Sequence, residues 1–175
     1  MTFVPCHRSG LIETMDSVLL KFRLNLMESA VEALERAAQR RNRRRHAAPP
    51  EHLTTGLRGE RAAYFWLRRR GYIVVARAWR SSRAPGDLDL IAWQGPTLCF
   101  IEIKTRTTRA VAPAHLAVDE RKRRVLRRLA RHYLRQLPSR DVPTRFDILS
   151  IYFEPNLAPD FEHYPNAFDW QEADR

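Results

Sequence analysis

Lysine is scarce in this chain. Of 31 basic residues only Lys21, Lys104 and Lys122 are lysines, so arginine is the default cation and each compact ammonium stands out. Cysteine is scarcer still: Cys6 lies near the terminus and Cys99 in a buried-looking strand, which argues against a disulfide framework. No apolar run approaches the ~18 residues of a membrane span. Lys21 and Arg23 break the segment Val18 to Leu26, which argues against a secretory signal, and a cytoplasmic location is expected. There is no phosphate-loop glycine motif and no CxxC, and His115, His132 and His163 lack metal-ligand spacing, so neither ATP use nor zinc is indicated. Acids are outnumbered 20 to 31, giving a net charge of +11 and a pI near 10.7. That imbalance points to a polyanion. Nucleic acid is the commonest, with an anionic membrane surface as the alternative, and charge by itself does not separate them.

The 175 residues are 44% hydrophobic and 29% charged, enough for one globular domain with a core and an appendage. Residues 1–50 read as a helical, basic extension or linker, and 51–175 as the main domain. Within the extension, Thr14 to Arg40 suits a helix with Leu19, Phe22, Leu26, Ala30, Ala33 and Ala37 as a loose apolar stripe. It ends in RRNRRRHAAPPEH, a solvated boundary. An appended segment and a basic arm laid on nucleic acid are both readings of it.

A more regular order starts at Gly56. Leu57 to Arg70 reads as a helix closed by Gly71. Residues 72–79 (YIVVARAW) and 88–93 (LDLIAW) read as strands, with RSSRAPG as the loop between them. LCFIEIKT is a third strand. Ala114 to Leu137 is a helix with Val125, Leu126, Leu129, Ala130, Tyr133 and Leu137 on one face, and 146–153 (FDILSIYF) is a fourth strand. The expected fold is an α/β αβββαβ core with a mixed sheet and an N-terminal helical extension.

The third strand carries the chemistry. Period two puts Leu98, Phe100, Glu102 and Lys104 on one face and Cys99, Ile101 and Ile103 on the other. Both faces are apolar, yet the strand holds a carboxylate and an ammonium, which is rare unless they are paired or bound. A four-residue connection, QGPT, makes paired residues on strands two and three sum to 191, placing Asp89 opposite Glu102 and Ile91 opposite Phe100. Opposed Cβ atoms lie roughly 4.5–5.5 Å apart, close enough for the two carboxylates to repel unless a proton or cation intervenes. A three- or five-residue loop would scatter the group. Two hard oxygen ligands suit magnesium, and Lys104 on the same face is placed to reach a water or a phosphate oxygen. Taken alone, E-x-K on a strand is usually a salt bridge. With Asp89 added, salt bridge and metal site both remain open.

The assembled motifs are G-L-R-G-E-R-A-A followed by G-Y, G-D-L-D-L-I, F-I-E-I-K-T-R, a helix carrying Lys122, R-F-D-I-L, and P-N-A-F. In this order and spacing the stretch Gly56 to Phe168 closely resembles the YraN family of small bacterial proteins, within the PD-(D/E)XK nuclease-like superfamily. The resemblance implies a restriction-endonuclease-like fold related to Holliday junction resolvases. It also implies Mg2+ or Mn2+ held by Asp89, Glu102 and the backbone carbonyl of Ile103. Glu60, Asp89, Glu102 and Lys104 would be the catalytic set. Read without the family, Glu60 is a first-turn acid favoured by the helix dipole. Asp87 stands where the family usually has glutamate, and is expected to position its loop.

The second helix carries Arg121, Lys122, Arg123, Arg124, Arg127, Arg128, Arg131 and Arg135, with Asp119 and Glu120 the only acids, at its start. Such a run is commonly a solvated face, but nearly every polar position here is positive, which suits tracking along phosphates. The expected nucleic-acid contacts are Arg80, Arg83, Arg106, Arg121, Lys122, Arg124, Arg128 and Arg131. Trp66, Tyr72 and Trp79 are expected in the core rather than as base-stacking platforms. Asp147 reads equally as an anchor or as an acid supporting the site. The expectation is a metal-dependent endonuclease on DNA, acting on branched or single-stranded structures, with a homodimer by analogy with junction resolvases. A non-cleaving nucleic-acid-binding protein and an RNA-directed nuclease are the alternatives.

Overall fold

The computed structural model describes residues 23–31, 33–34, 51–109, 118–138 and 141–170. Helix α1 covers 23–31 and 33–34. The main domain then runs α2 (Glu51–Arg69), β1 (Ile73–Ser81), β2 (Ala84–Gln94), β3 (Thr97–Arg106), α3 (Glu120–Leu134), β4 (Thr144–Tyr152) and β5 (Asp160–Phe168). The five strands form one sheet in sequence order, antiparallel except for β3 and β4, which are parallel and joined through α3. A parallel pair needs such a crossover, whereas the other neighbours are joined by direct reversals.

The alternation along β3 holds. Cys99, Ile101 and Ile103 pack with Ala63, Trp66 and Leu67 of α2, while Leu98 and Phe100 pack with Leu126, Leu129 and Ala130 of α3. A central strand covered on both faces explains why residues 98–103 are all buried. The apolar face expected on α3 is the one it buries, and Trp66, Tyr72 and Trp79 all pack with the core clusters. Helix α2 ends as expected around Gly71 (φ 82°): Tyr72 N–H donates to Leu67 O at 3.1 Å and Gly71 N–H to Arg68 O at 3.1 Å, a closed Schellman turn. Midway along its length, at Gly59, α2 lies close over β3. A Cβ on Gly59 would lie 1.9 Å from Thr105 Oγ1, so only glycine lets the helix lie this low over the strand.

Several expectations are corrected. RSSRAPG is mostly strand: Ser81 pairs with Ala84, leaving a tight turn at Ser82 and Arg83. Helix α3 starts at Glu120, not Ala114, because Asp119 caps it, its Oδ1 accepting from Lys122 N at 2.8 Å while Val118 is already non-helical. It also ends at Leu134 rather than Leu137. A fifth strand, β5, joins the sheet beyond the four that were anticipated. In α1 the stripe is misplaced: Leu24 is buried, with Glu28 and Val31 half-buried one and two turns on, whereas Leu26, Ala30 and Ala33 are exposed. The docked face is polar-edged, with Arg69 of α2 hydrogen-bonding Asn25 Oδ1 at 3.2 Å and pairing with Glu28, so apolar periodicity was a poor guide. Leu19, Phe22 and Ala37, and the expected boundary at residue 50, lie outside the described residues.

Candidate active site

Two strands deliver two acids to one place. The β2–β3 register reads Trp93–Leu98, Ile91–Phe100 and Leu90–Ile101, the pairing expected for the QGPT connection. The ladder stops there, one step short of Asp89 and Glu102. Beyond it the Asp89 side chain replaces a backbone acceptor, its Oδ2 taking Ile103 N–H at 2.7 Å. The N–H and C=O of a strand residue point to the same edge, so the Ile103 carbonyl faces this gap as well. The side-chain alternation of β2 breaks here too. Leu88 and Leu90, two residues apart, pack in opposite clusters, and across the ladder Ala78 has a left-handed backbone (φ 44°).

Glu102 is 4% exposed and has a divided carboxylate. Its Oε1 receives Lys104 Nζ at 2.9 Å and Lys122 Nζ at 3.0 Å, while its Oε2 is buried with no hydrogen-bond partner among the described residues. Lys122 arrives from the first turn of α3, in the position set by the Asp119 cap. Burial alone would lower the Lys122 pKa, but the charge and hydrogen bond of Glu102, with Asp89 behind, hold it above its ordinary value. Asp89 moves the other way. Burial and then the Glu102 charge push its carboxyl up to about 7, against the opposing pull of the Ile103 N–H and Lys122.

Asp89, Glu102 and Ile103 line an open cavity of about 800 Å³ together with Thr55, Gly56 and Glu60 of α2 and Thr105, Arg106, Thr107 and Thr108 from the end of β3. Glu60 therefore lines the same cavity as the two β-strand acids, from the middle of α2 and not from its first turn. Among the described residues no group of three or more His, Cys, Asp or Glu side chains converges closely enough to hold a metal by itself. The donor set is two carboxylates and a backbone carbonyl, and Glu102 Oε2 within it has no partner among the described residues. That set fits a hard cation that keeps several waters, such as magnesium, and does not fit a fully protein-ligated ion. The threonines of the rim were not foreseen. The T-R-T-T run after E-x-K was their only trace.

The sequence profile of the uncharacterised protein family UPF0102 matches residues 59–151, from the α2 glycine through E-x-K to β4. The chain belongs to the UPF0102 (YraN) family. This family lies in the PD-(D/E)XK-like nuclease superfamily. A UPF0102 protein of Koribacter versatilis is 57% identical over 105 residues, covering 60% of this chain and 73% of the relative. One from Solibacter usitatus is 40% identical over 135 residues, 77% of this chain and 97% of the relative, and one from Geobacter metallireducens is 37% identical over 114, covering 65% and 91%.

Not all of the UPF0102 motifs belong to the cavity. R-F-D-I-L and P-N-A-F meet each other instead. Asp147, fully buried, accepts from Arg145 Nε at 2.9 Å, His163 Nε2 at 3.1 Å and Asn166 N at 3.0 Å, and Phe146 stacks on Phe168 at 4.7 Å. Asp147 is thus an anchor between β4 and β5. Asp87 accepts from Arg80 at 3.2 Å across the β1–β2 hairpin.

The arginines separate into groups. Arg106 lines the acidic cavity. Arg121, Arg124 and Arg128 are exposed along α3, with Arg135 continuing beyond its end and Arg131 half-buried beside them. Arg127 is buried, paired with Glu120 and bonded to Asp169 O. Arg80 and Arg83 stand at the β1–β2 turn, lining a different cavity. No helix among the described residues is long and apolar enough to cross a membrane.

Proposed function

We propose that this chain is a divalent-metal-dependent phosphodiesterase acting on nucleic acid, with DNA favoured and an endonucleolytic mode on branched or single-stranded regions. The observation that carries this reading is the meeting of Asp89 and the half-unpartnered Glu102 at the open end of a β-ladder, inside a cavity large enough for a nucleotide. A structural ion pair would satisfy its own oxygens. Here one carboxylate oxygen is buried and left without a partner among the described residues, and burial and the Glu102 charge push the neighbouring Asp89 carboxyl up to about 7.

Asp89, Glu102 and the Ile103 carbonyl would hold Mg2+ or Mn2+, which would supply charge neutralisation at the phosphoryl group and a more acidic water. The protein's own groups do the remaining work. Lys104 Nζ, anchored on Glu102 Oε1, is placed to donate to a non-bridging phosphate oxygen or to orient the attacking water. Lys122, reaching the same oxygen from α3, keeps a second positive charge where negative charge builds up in the transition state. Glu60, across the cavity, is positioned to accept a proton from the attacking water. Arg106 and the exposed arginines of α3 offset the repulsion between phosphates and acids, and give binding a steep salt dependence.

One observation favours a second reading. Two lysines on one Glu102 oxygen make an internally neutralised cluster, which a non-cleaving nucleic-acid-binding protein would tolerate without metal. The deciding experiment incubates purified protein with end-labelled single strand, duplex, flap, four-way junction and RNA, in magnesium, manganese or EDTA, beside Glu102→Gln. Cleavage by the wild type that is lost in EDTA, and reduced by at least about a thousandfold in Glu102→Gln, is the expected result. Tight, salt-sensitive binding with no cleavage under any of these conditions would replace the enzyme reading by the binding one.

A further inference from the structure

A second cavity, of about 430 Å³, opens between the β1–β2 turn and the end of α3. It is lined by Trp79, Arg80, Ser81, Ser82, Arg83, His132, Arg135 and Gln136, with no acid among them. Arg80 is held by Asp87, but Arg83 and Arg135 make no ion pair among the described residues. The polar groups are already organised. Arg83 N–H donates to Ser81 Oγ at 3.2 Å, and the same oxygen lies 2.9 Å from His132 Nδ1. With Ser81 donating its proton to Nδ1, His132 carries its own proton on Nε2, free to donate. Gln136 is fixed by its amide on His132 O at 3.2 Å, and Arg128 reaches Arg83 O at 3.4 Å, buttressing the turn.

We infer that this cavity is a phosphate-binding subsite that grips the backbone of a nucleic-acid strand away from the acidic centre. It offers two arginine forks, hydroxyls and an imidazole N–H in a concave site with no competing carboxylate in its lining, which is the donor chemistry of a phosphate site. Partial burial, then the charges of Arg135, Arg128, Arg83 and Arg131, hold His132 below its ordinary pKa, as an excess of cations without an anion does. Ala84, at the turn, is five residues along β2 from Asp89, about 17 Å at the rise of an extended strand. That span separates the gripped phosphate from the reacting one by only a few nucleotides of the same strand. The subsite rests on the nucleic-acid reading given above. It would set where along a strand the acidic centre falls.

Binding is measured by fluorescence anisotropy on the full chain in EDTA, so that no cleavage is needed. Arg83→Ala/Arg135→Ala is compared with Arg70→Ala/Arg77→Ala, an equal charge change elsewhere on the surface, using single-stranded and duplex oligonucleotides across a salt series. The pocket variant is expected to bind at least about tenfold more weakly and to lower the salt slope by about 1–2, with a markedly smaller effect for the control pair. In a second arm, inorganic phosphate is titrated while the imidazole NMR signals of His132, assigned with His132→Gln, are followed. Phosphate should move those signals in the wild type and not in Arg83→Ala/Arg135→Ala. Equal losses in the two variants would overturn the subsite in favour of general charge. A phosphate response with wild-type oligonucleotide affinity in the pocket variant would reduce it to a small-anion site and overturn the strand role. Failure of the wild type to bind any oligonucleotide would remove the nucleic-acid reading itself. Absence of cleavage in the substrate panel leaves this binding test intact.

Discussion

Two acidic sites on neighbouring parts of the same sheet have opposite fates. Asp147 on β4 is saturated: both oxygens accept from the Arg145 guanidinium, one takes the Asn166 N–H, the other meets His163, and Arg145 is itself held by Tyr72 Oη and Gln94. Burial alone would raise its pKa, but the hydrogen bonds from His163, Arg145 and Asn166 outweigh it and hold the carboxyl below the usual range. The pair Asp89 and Glu102 is undersupplied. One oxygen of Glu102 has no partner among the described residues, and the Asp89 carboxyl is pushed up to about 7. The same residue type in the same sheet is therefore cement in one place and an unspent charge in the other. The count of donors around each carboxylate decides which.

The saturated site should be the costlier to break. Asp147→Ala strands a partly buried guanidinium and removes the acceptor that ties β5 to β4, so a loss of about 3–5 kcal/mol is expected by chemical denaturation. The pH sign follows from the depressed pKa. The contribution of Asp147 is complete above the unfolded carboxylate value near 4 and disappears as pH falls through the lower folded value. The gap between wild type and Asp147→Asn should accordingly close in acid. A constant gap from pH 7 to pH 2 would mean that shape, not charge, holds this joint.

The unsaturated site should behave in the reverse sense. Asp89→Asn keeps an acceptor for Ile103 N–H and removes a buried charge. Raising the carboxyl from 3.8 to about 7, a net value that already includes the opposing pull of Lys122, bounds the gain at about 4 kcal/mol at pH 8 in EDTA. A raised folded pKa means that the protonated wild type is unpenalised below pH ~4 and pays progressively as pH rises through 7. The variant's advantage should grow over that window and level off above it. A variant less stable than wild type at pH 8 would show that Asp89 is a structural acceptor like Asp147, and would erase the contrast.

The contrast also marks what the sequence could disclose. Asp89 and Glu102 came together on paper because a hairpin's register is local: once QGPT is taken as the connection, the pairing is arithmetic. The E-x-K face and the closing turn at Gly71 were legible for the same reason. Strand β5 was not. DFEHYPNAF has a proline and no clean alternation, and it becomes a strand because Asp147 and Phe146, twenty residues away, provide acceptors and a stacking surface. Lys122 is legible as one more basic residue near the start of a helix, but its contact with Glu102 depends on where α3 starts, and that depends on the Asp119 cap. The Ser81–His132 pair, 51 residues apart, had no local signal at all.

The finest test of the contrast lies in the backbone. Each acid has a residue with left-handed φ beside it: Asn166 (φ 52°) gives its N–H to Asp147, and Ala78 (φ 44°) stands across from Asp89. Asparagine tolerates that region and alanine does not, the difference being about 1 kcal/mol. The structural site has thus relaxed its strain through residue choice, and the acidic centre has kept it, as strained backbone at functional sites does. Ala78→Gly should stabilise the protein by up to about 1 kcal/mol, part of the relief being lost to the greater freedom of glycine in the unfolded chain. Asn166→Gly should gain nothing comparable. If Ala78→Gly also lowers cleavage while leaving oligonucleotide binding unchanged, the kink at Ala78 aims Asp89. If cleavage is unaffected, the strain belongs to the hairpin and not to the site.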